Sequence, residues 1–261
     1  MKCPLTMFCV LWLTASAIEG DDTSTEDEVT RLGKALHEAR RQYSDTDIEK
    51  IQEELLQLEK DLSDSFDFAT SAAESYLFRA NFRRTDRTIR KLEKATVKEY
   101  RKLQANWGKA GMPYAEKARK LAKTDAQRAH AERLIGELYV HQINGPIAGL
   151  INGPKALSHI QAALAFAPGD PECNRAQGLM FLYNPPINGG DVNGAIRTFR
   201  RCTKRKPESD EYHLYLSLAF RKKKNLIRAE VAAKKALQLN PDNVDAKNLL
   251  DELDKEKESS Q

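Results

Sequence analysis

The 261-residue sequence contains few of the residues that build catalytic centres, metal sites or disulfide frameworks. It has four cysteines, two tryptophans, five histidines and 7% aromatic residues. The histidines have no zinc-site spacing to cysteines or carboxylates, and neither a P-loop nor a G-x-S-x-G motif is present. We therefore expect no catalytic residues, no metal and no cofactor, and we do not expect an enzyme.

The sequence also lacks alternating strand-like runs and a large excess of one charge. Charged residues make up 31% of the chain, yet the formal net charge is only +4. This balance does not indicate a nucleic-acid partner. The abundance of Lys, Glu, Ala, Leu and Arg is typical of helical proteins, so we expect an all-α fold.

One apolar segment, Leu5 to Thr14, follows Lys2 and is too short to span a bilayer comfortably. Ala15-Ser16-Ala17 offers a cleavage site of the signal-peptidase type. We expect residues 1–17 to be a signal peptide and 18–30 a flexible acidic leader. The protein would then be exported, to the periplasm or outside the cell, with no membrane span after cleavage. An uncleaved anchor is the alternative.

Three prolines in the C-terminal half, Pro168, Pro207 and Pro241, end helical segments that share one pattern. Small or apolar residues stand five, eight and twelve positions before each proline: Ala163, Ile160 and Ala156; Cys202, Phe199 and Ala195; Ala236, Ala233 and Ala229. The pattern resembles the tetratricopeptide repeat, a helix-turn-helix of about 34 residues. The resemblance implies a right-handed superhelical solenoid of antiparallel helix hairpins.

The repeats define the predicted organisation of the chain. Three copies occupy 129–170, 171–209 and 210–243, and residues 244–261 form a capping helix with a charged tail. We expect degenerate hairpins over 31–128, with helices at 26–43, 48–64, 66–82, 85–106 and 114–123 and a break at 107–113, where glycines and Pro113 cluster.

The first two copies are eight and five residues longer than the third, and both extra segments contain Ile-Asn-Gly. Insertions of this kind project from one edge of a solenoid and often mark its working face. We expect insert loops that contain Asn144, Gly145, Asn152, Gly153, Asn188, Gly189, Gly190 and Asp191.

The first helix of each hairpin lines the concave face of such a solenoid. Its inward positions combine apolar side chains with arginines, which suits a peptide or an amphiphilic acid. Ordinary packing between helices is the alternative. The candidate groove residues are Arg133, Glu137, Arg175, Leu179, Leu182, Tyr183, Leu214, Leu218 and Arg221.

Cys173 and Cys202 are the two cysteines that would remain after signal cleavage. They fall at the same level of one hairpin, near the start of its first helix and late in its second. A disulfide is one interpretation in an oxidising compartment, and two buried thiols are the other.

A second resemblance concerns the segment Pro186-x3-Gly190-Asp191-x3-Ala195-Ile196-x2-Phe199, together with Tyr114-Ala115-Glu116-Lys117-Ala118. These residues look like those of the T-component family, periplasmic proteins associated with tripartite ATP-independent periplasmic (TRAP) transporters. The resemblance implies a solute-binding protein as partner, an oligomer, and a small organic acid or lipid-like ligand. The other hypothesis is an exported, non-catalytic scaffold that binds another protein through its concave groove.

Overall fold

The computed structural model describes residues 24–42, 44–81 and 94–259, and this part of the chain is helical without strands. The predicted all-α fold is confirmed. The predicted signal peptide, 1–17, lies outside the described residues, as does the segment 82–93. The described helices are α1 Thr25–Arg41, α2 Asp45–Gln57, α3 Phe66–Asn81, α4 Lys94–Leu121, α5 Asp125–His141, α6 Pro146–Phe166, α7 Pro171–Tyr183, α8 Val192–Arg205, α9 Asp210–Lys222, α10 Leu226–Leu239 and α11 Val244–Glu258.

The helices stack as antiparallel hairpins in chain order. The pairs α1–α2, α3–α4, α5–α6, α7–α8 and α9–α10 each pack together, and α11 packs on α10. The first helix of each hairpin also contacts the first helix of the next, from α1 through α9 to α11. This pattern of neighbours is that of a solenoid, in which each unit contacts mainly its neighbours.

Small residues at the repeat positions let the paired helices approach closely. A Cβ atom on Gly136 would lie 2.8 Å from Ile160 Cγ1, and one on Gly178 would lie 2.6 Å from Phe199 Cε1. Side chains with one more carbon would therefore push the helices apart. The repeat pattern in the sequence reflects these contacts.

The predicted helix break at 107–113 is wrong, because α4 runs without interruption from Lys94 to Leu121 and contains Pro113. Gly108 and Gly111 are packing residues here. A Cβ on Gly108 would lie 2.9 Å from the Leu138 carbonyl oxygen, and one on Gly111 would lie 2.9 Å from Tyr76 Cβ. Close contacts with α3 and α5 thus stabilise the helix through a sequence that favours a turn.

Other boundaries also differ from the prediction. Helix α1 begins at Thr25, within one residue of the predicted helix start at 26, because the Ser24 side chain accepts from the Asp27 amide and Val29 is buried in the core. The predicted leader 18–30 therefore extends too far, and helix α2 ends at Gln57 and not at 64. Helix α6 begins at Pro146, so Asn152 and Gly153 lie in a helix and not in a loop. Proline is favoured at the first helical position, where its missing N–H costs no hydrogen bond.

The remaining insert residues lie in connections. Gly145 precedes α6 as its N-cap, and Asn144 lies in the same turn. Asn188, Gly189, Gly190 and Asp191 connect α7 to α8, and Gly189 has a φ of 84°, in the left-handed region that favours glycine. The two inserts therefore differ in form: the first mainly lengthens a helix and the second is a short loop.

Cys173 and Cys202 are both buried free thiols, so the disulfide interpretation is not the one that the structure adopts. The two sulfurs point to different neighbours. Cys173 Sγ lies 4.0 Å from the Ala129 carbonyl oxygen, and Cys202 Sγ lies 3.6 Å from the Pro171 carbonyl oxygen. Burial raises the pKa of Cys173 to about 12 and that of Cys202 to about 11, which makes both thiols unreactive.

In a variant with Cys3 and Cys9 replaced by serine, we expect neither remaining thiol to react rapidly with a thiol reagent at pH 8. Both should react once the chain is unfolded in denaturant without reductant, because both are free. The measurement is a spectrophotometric thiol titration of native and denatured protein. Recovery of fewer than two thiols in denaturant would show that the bridge forms after all.

Candidate functional site

The concave face of the solenoid contains a cavity of about 980 Å³, which we call the groove. Its walls come from the first helices of successive hairpins, with α4 at one side and α11 at the end. Helix α5 contributes His130, α9 contributes Leu214 and Leu218, and α11 contributes Asp245. The volume reaches the upper end of the range found for small-molecule sites, so a peptide segment would fit.

Five of the nine predicted groove residues line this cavity, and four do not. The lining residues are Arg133, Tyr183, Leu214, Leu218 and Arg221. Of the others, Leu182 is buried in the hydrophobic core formed by α7 to α11, and Leu179 packs against that core. For these two leucines the ordinary packing alternative is correct. Glu137 and Arg175 lie in a buried ionic network beneath the groove.

The network has Glu137 at its centre, between two arginines. Arg133 Nη1 donates to Glu137 Oε1 at 2.8 Å, and Arg175 Nη2 donates to Glu137 Oε1 and Oε2 at 2.8 and 2.9 Å. Each of the three side chains is less than one-tenth exposed. Arg133 and Arg175 are therefore held by protein carboxylates and are poorly placed to bind a ligand.

The network extends to both sides along the inner helices. Glu74 of α3 accepts from Arg133 Nη2 at 3.2 Å and lies within 3.1 Å of the Nε2 atoms of His37 and His130. On the other side, Arg175 Nε donates to Glu172 Oε2 at 2.8 Å, and Tyr212 of α9 donates to Glu172. Five successive first helices, α1 to α9, are thus joined by charged hydrogen bonds.

The arginines and histidines determine the ionisation of these carboxyl groups. Burial would raise the pKa of Glu74, but hydrogen bonds from His130 and His37 and the charge of Arg133 hold that pKa well below its usual range. Burial opposes ionisation of Glu137 as well, and the charges of Arg175 and Arg133 lower its pKa. The pKa of Glu172 is lowered in the same way. All three groups are carboxylates near neutral pH.

The lowered pKa values of these carboxyl groups predict that the free energy of unfolding falls on acidification. A carboxyl group whose pKa is lower in the folded state stabilises the fold above its unfolded pKa, near 4.5, and loses that contribution as the pH falls toward its folded pKa. Between about pH 7 and 5 we expect a constant contribution from these groups, and below about 4.5 a progressive loss of stability as they are protonated. Urea unfolding, followed by circular dichroism at several pH values, measures how the free energy of unfolding changes with pH.

Glu74→Gln provides the matched control for the pH prediction. The amide cannot titrate, so the variant should be less stable near neutral pH and should lose less stability on acidification. An equal loss in both proteins would show that Glu74 is not part of the acid response.

The two ends of the solenoid meet across the mouth of the groove, which the sequence did not suggest. Arg40, near the end of α1, forms an ion pair with Glu211 of α9 and lies 4.6 Å from the centre of the Phe78 ring. Tyr215 Oη donates to Glu211 Oε1 at 2.8 Å. Asn240 Nδ2 donates to the Arg41 carbonyl oxygen at 3.2 Å. We call these contacts the closure; their partners are too distant in sequence for any local pattern to pair them.

The C-terminal end of the groove combines apolar side chains with an unpaired carboxyl oxygen. Leu214, Leu218 and Leu249 line this end, and Asp245 Oδ1 is buried without a hydrogen-bond partner in the described chain. Burial, together with the charge of Glu211, raises the pKa of Asp245 to about 6. Arg221, by contrast, is paired with Glu252 and Glu256 at 2.5 Å each. Asp245 is therefore better placed than the predicted arginines to receive a charged group of a ligand.

Within the described ranges, no group of three or more His, Cys, Asp or Glu side chains is arranged to hold a metal ion. None of the described helices combines the length and apolarity that a transmembrane span requires. The groove is a feature of this part of the chain that offers a site for another molecule.

No protein-family model matches the chain, and no curated protein matches it in sequence. Several solved structures resemble it. TTC0263, a thermophilic TPR protein of Thermus thermophilus, is 14% identical over 87% of this chain and 98% of its own, with a TM-score of 0.62. YrrB, described as a TPR protein with an unusual peptide-binding site, is 17% identical over 84% and 96%, with a TM-score of 0.39.

MamA is 14% identical over 84% of this chain and 96% of its own, with a TM-score of 0.41. At these identities a structural likeness carries information about the fold and not about the ligand or partner. The match to the Thermus protein extends over most of both chains and agrees with the hairpin stacking described above. The chain therefore has the fold of tetratricopeptide repeat solenoids.

Proposed function

We propose that the protein is a non-catalytic scaffold that binds a segment of another protein in its groove. The observation that carries this proposal is the lining of the C-terminal end of the groove, where Leu214, Leu218 and Leu249 lie beside the unpaired carboxyl oxygen of Asp245. Apolar side chains supply affinity, and a few polar groups fix the orientation of the ligand.

This lining favours a peptide with an aliphatic side chain next to a positively charged one. The aliphatic side chain would pack between Leu218 and Tyr183, which is half exposed at the groove wall. A lysine or arginine would pair with Asp245. Because Arg133 and Arg221 are already paired with carboxylates, these two arginines would contribute little to the binding of an acidic peptide.

Selection from a phage-displayed library of random peptides tests the proposal. Peptides enriched on the full chain would be synthesised and their affinities measured by calorimetry. Leu218→Ala and Asp245→Asn should each weaken binding by about tenfold, the loss expected for one buried contact. Lys109→Ala, an exposed change on α4 away from the groove lining, is the control. Peptides that bind all three variants equally, or the absence of enrichment, would refute the groove as a peptide site.

We also propose that the protein is exported, on the basis of the apolar segment Leu5 to Thr14 and the Ala15-Ser16-Ala17 site. Cell fractionation with N-terminal sequencing of the isolated protein tests this. A chain that begins at residue 18 agrees with export and cleavage. Retention of Met1 contradicts cleavage, and recovery from the cytoplasm contradicts export.

A second candidate function is that of an accessory in TRAP-type solute uptake, which would hold a small organic acid or lipid-like ligand and work with a periplasmic solute-binding protein. The closure favours it, because contacts between the two ends partly enclose the groove. Native mass spectrometry of the purified protein distinguishes the candidates. A co-purified small acid supports solute handling, whereas a ligand-free protein that binds selected peptides supports the scaffold.

A further inference from the structure

The turns inside the last three full hairpins lie at one edge of the solenoid, which we call the insert edge. It comprises the connections α5–α6, α7–α8 and α9–α10, with the first turns of α6 and α10. In a stack of antiparallel hairpins these turns follow one another along the same side. One contact joins two of these turns directly, since Lys222 Nζ donates to the Leu182 carbonyl oxygen, and Ile143 and Tyr183 both line the groove.

The insert edge exposes an unusual number of aliphatic side chains. A single exposed leucine or isoleucine is ordinary, but a group along one edge indicates a contact surface. The exposed fractions are 77% for Ile147, 79% for Leu150, 54% for Ile151, 92% for Ile187 and 76% for Ile227. All three successive hairpins contribute, and four of the five residues come from the two inserts or their flanks.

The same edge is positively charged. Residues 141–155 and 221–229 contain no Asp or Glu, whereas they contain Lys155, Lys222, Lys223, Lys224 and Arg228. Arg221 of the second segment is paired with Glu252 and Glu256 and adds no net charge. Lys223 and Lys224 are exposed and form no ion pair with any described residue. The acidic residue of the α7–α8 connection, Asp191, is neutralised by Arg197 at 3.1 Å.

We propose that the insert edge docks on the surface of an anionic phospholipid bilayer. Ile147, Leu150 and Ile151 lie at positions i, i+3 and i+4 on the first turns of α6 and form an apolar stripe there, whereas Ile187 and Ile227 lie in separate hairpins. A protein partner would need a complementary cavity for each of these three separated groups, whereas the boundary between headgroups and acyl chains accepts exposed aliphatic side chains without shape complementarity. The lysines complement the negative charge of such a surface.

Sedimentation with lipid vesicles tests the proposal on the full chain. We expect binding to phosphatidylcholine vesicles with about 30% phosphatidylserine in about 0.1 M salt, little binding to phosphatidylcholine alone, and release in about 0.5 M salt. Leu150→Ser with Ile187→Ser should weaken binding by at least about tenfold, because both side chains lose their apolar contact. Lys223→Gln with Lys224→Asn should weaken it by a similar factor, and asparagine tolerates the positive φ of 63° at position 224.

Lys109→Gln with Lys120→Gln is the matched control, since it removes two exposed charges from α4, outside the insert edge. Residues 1–23 are the same in every variant, so any membrane affinity of that segment cancels. Three results would each overturn the proposal. The control could weaken binding as much as the Lys223/Lys224 variant does, the Leu150/Ile187 variant could bind unchanged, or the protein could fail to bind anionic vesicles. Circular dichroism confirms that each variant is folded.

Discussion

Glu137→Ala is expected to lower the free energy of unfolding by about 3–5 kcal/mol, because it leaves two buried guanidinium groups without their shared carboxylate. Arg133 and Arg175 both donate to Glu137 and are nearly inaccessible to water. Each retains one other carboxylate partner, Glu74 and Glu172 respectively. Glu74 and Glu172 each neutralise part of one arginine, but neither replaces the Glu137 carboxylate that lies between the two guanidinium groups. Denaturant unfolding measures the change.

Glu38→Ala is the matched control for this experiment. Glu38 lies on α1, 3.9 Å from Arg41, and both side chains are more than half exposed. Its removal should cost less than about 0.5 kcal/mol. Replacing Arg133, Glu137 and Arg175 together with apolar residues of similar size should not restore the stability, because Glu74 then loses Arg133 and Glu172 loses Arg175 as partners. A small loss for Glu137→Ala would mean that water reaches the two arginines.

Phe199→Ala is expected to cost about 3–5 kcal/mol, since the ring is fully buried among α7, α8 and α9. The Phe199 ring packs against Gly178 of α7 and stacks on Tyr215 of α9 with the centroids 5.5 Å apart. Gly178→Ala should cost about 1–3 kcal/mol for the opposite reason, because its Cβ would meet the ring at 2.6 Å.

The two changes should be coupled. In the Phe199→Ala background the space beside Gly178 is free, so the methyl group added at position 178 should no longer destabilise the protein. The loss of stability in the double variant should therefore be smaller than the sum of the two single losses. Gly149→Ala, where a Cβ has an ordinary contact of 3.5 Å, should stabilise α6 by up to about 1 kcal/mol. Additive losses at Gly178 and Phe199 would contradict the close approach of α7 and α8.

The fold could be predicted because its determinants are local. Pro168, Pro207 and Pro241 end helices, and the small residues before them permit close packing, so the spacing alone defines the hairpins. The break predicted at 107–113 failed because Gly108 and Gly111 serve contacts with α3 and α5 that no local rule includes. Tertiary packing overrides propensity at such positions.

The candidate site could be predicted only in part, for a related reason. Helical spacing correctly placed Leu214, Leu218 and Arg221 on the inner face of α9. It could not show that Arg133 and Arg175 are satisfied within the protein, because their carboxylate partners include residues of other repeats. Asp245 was missed altogether, since its importance depends on burial and on the nearby Glu211.

The closure has a consequence for how the protein folds and moves. Arg40 and Glu211 are 171 positions apart, whereas the helix pairs of the solenoid form from near neighbours in the chain. Contacts between near neighbours form early, and a link between the two ends forms once the intervening hairpins are in place. Rupture of this link would leave the contacts within every hairpin intact, so we expect separation of the two ends to cost less than global unfolding.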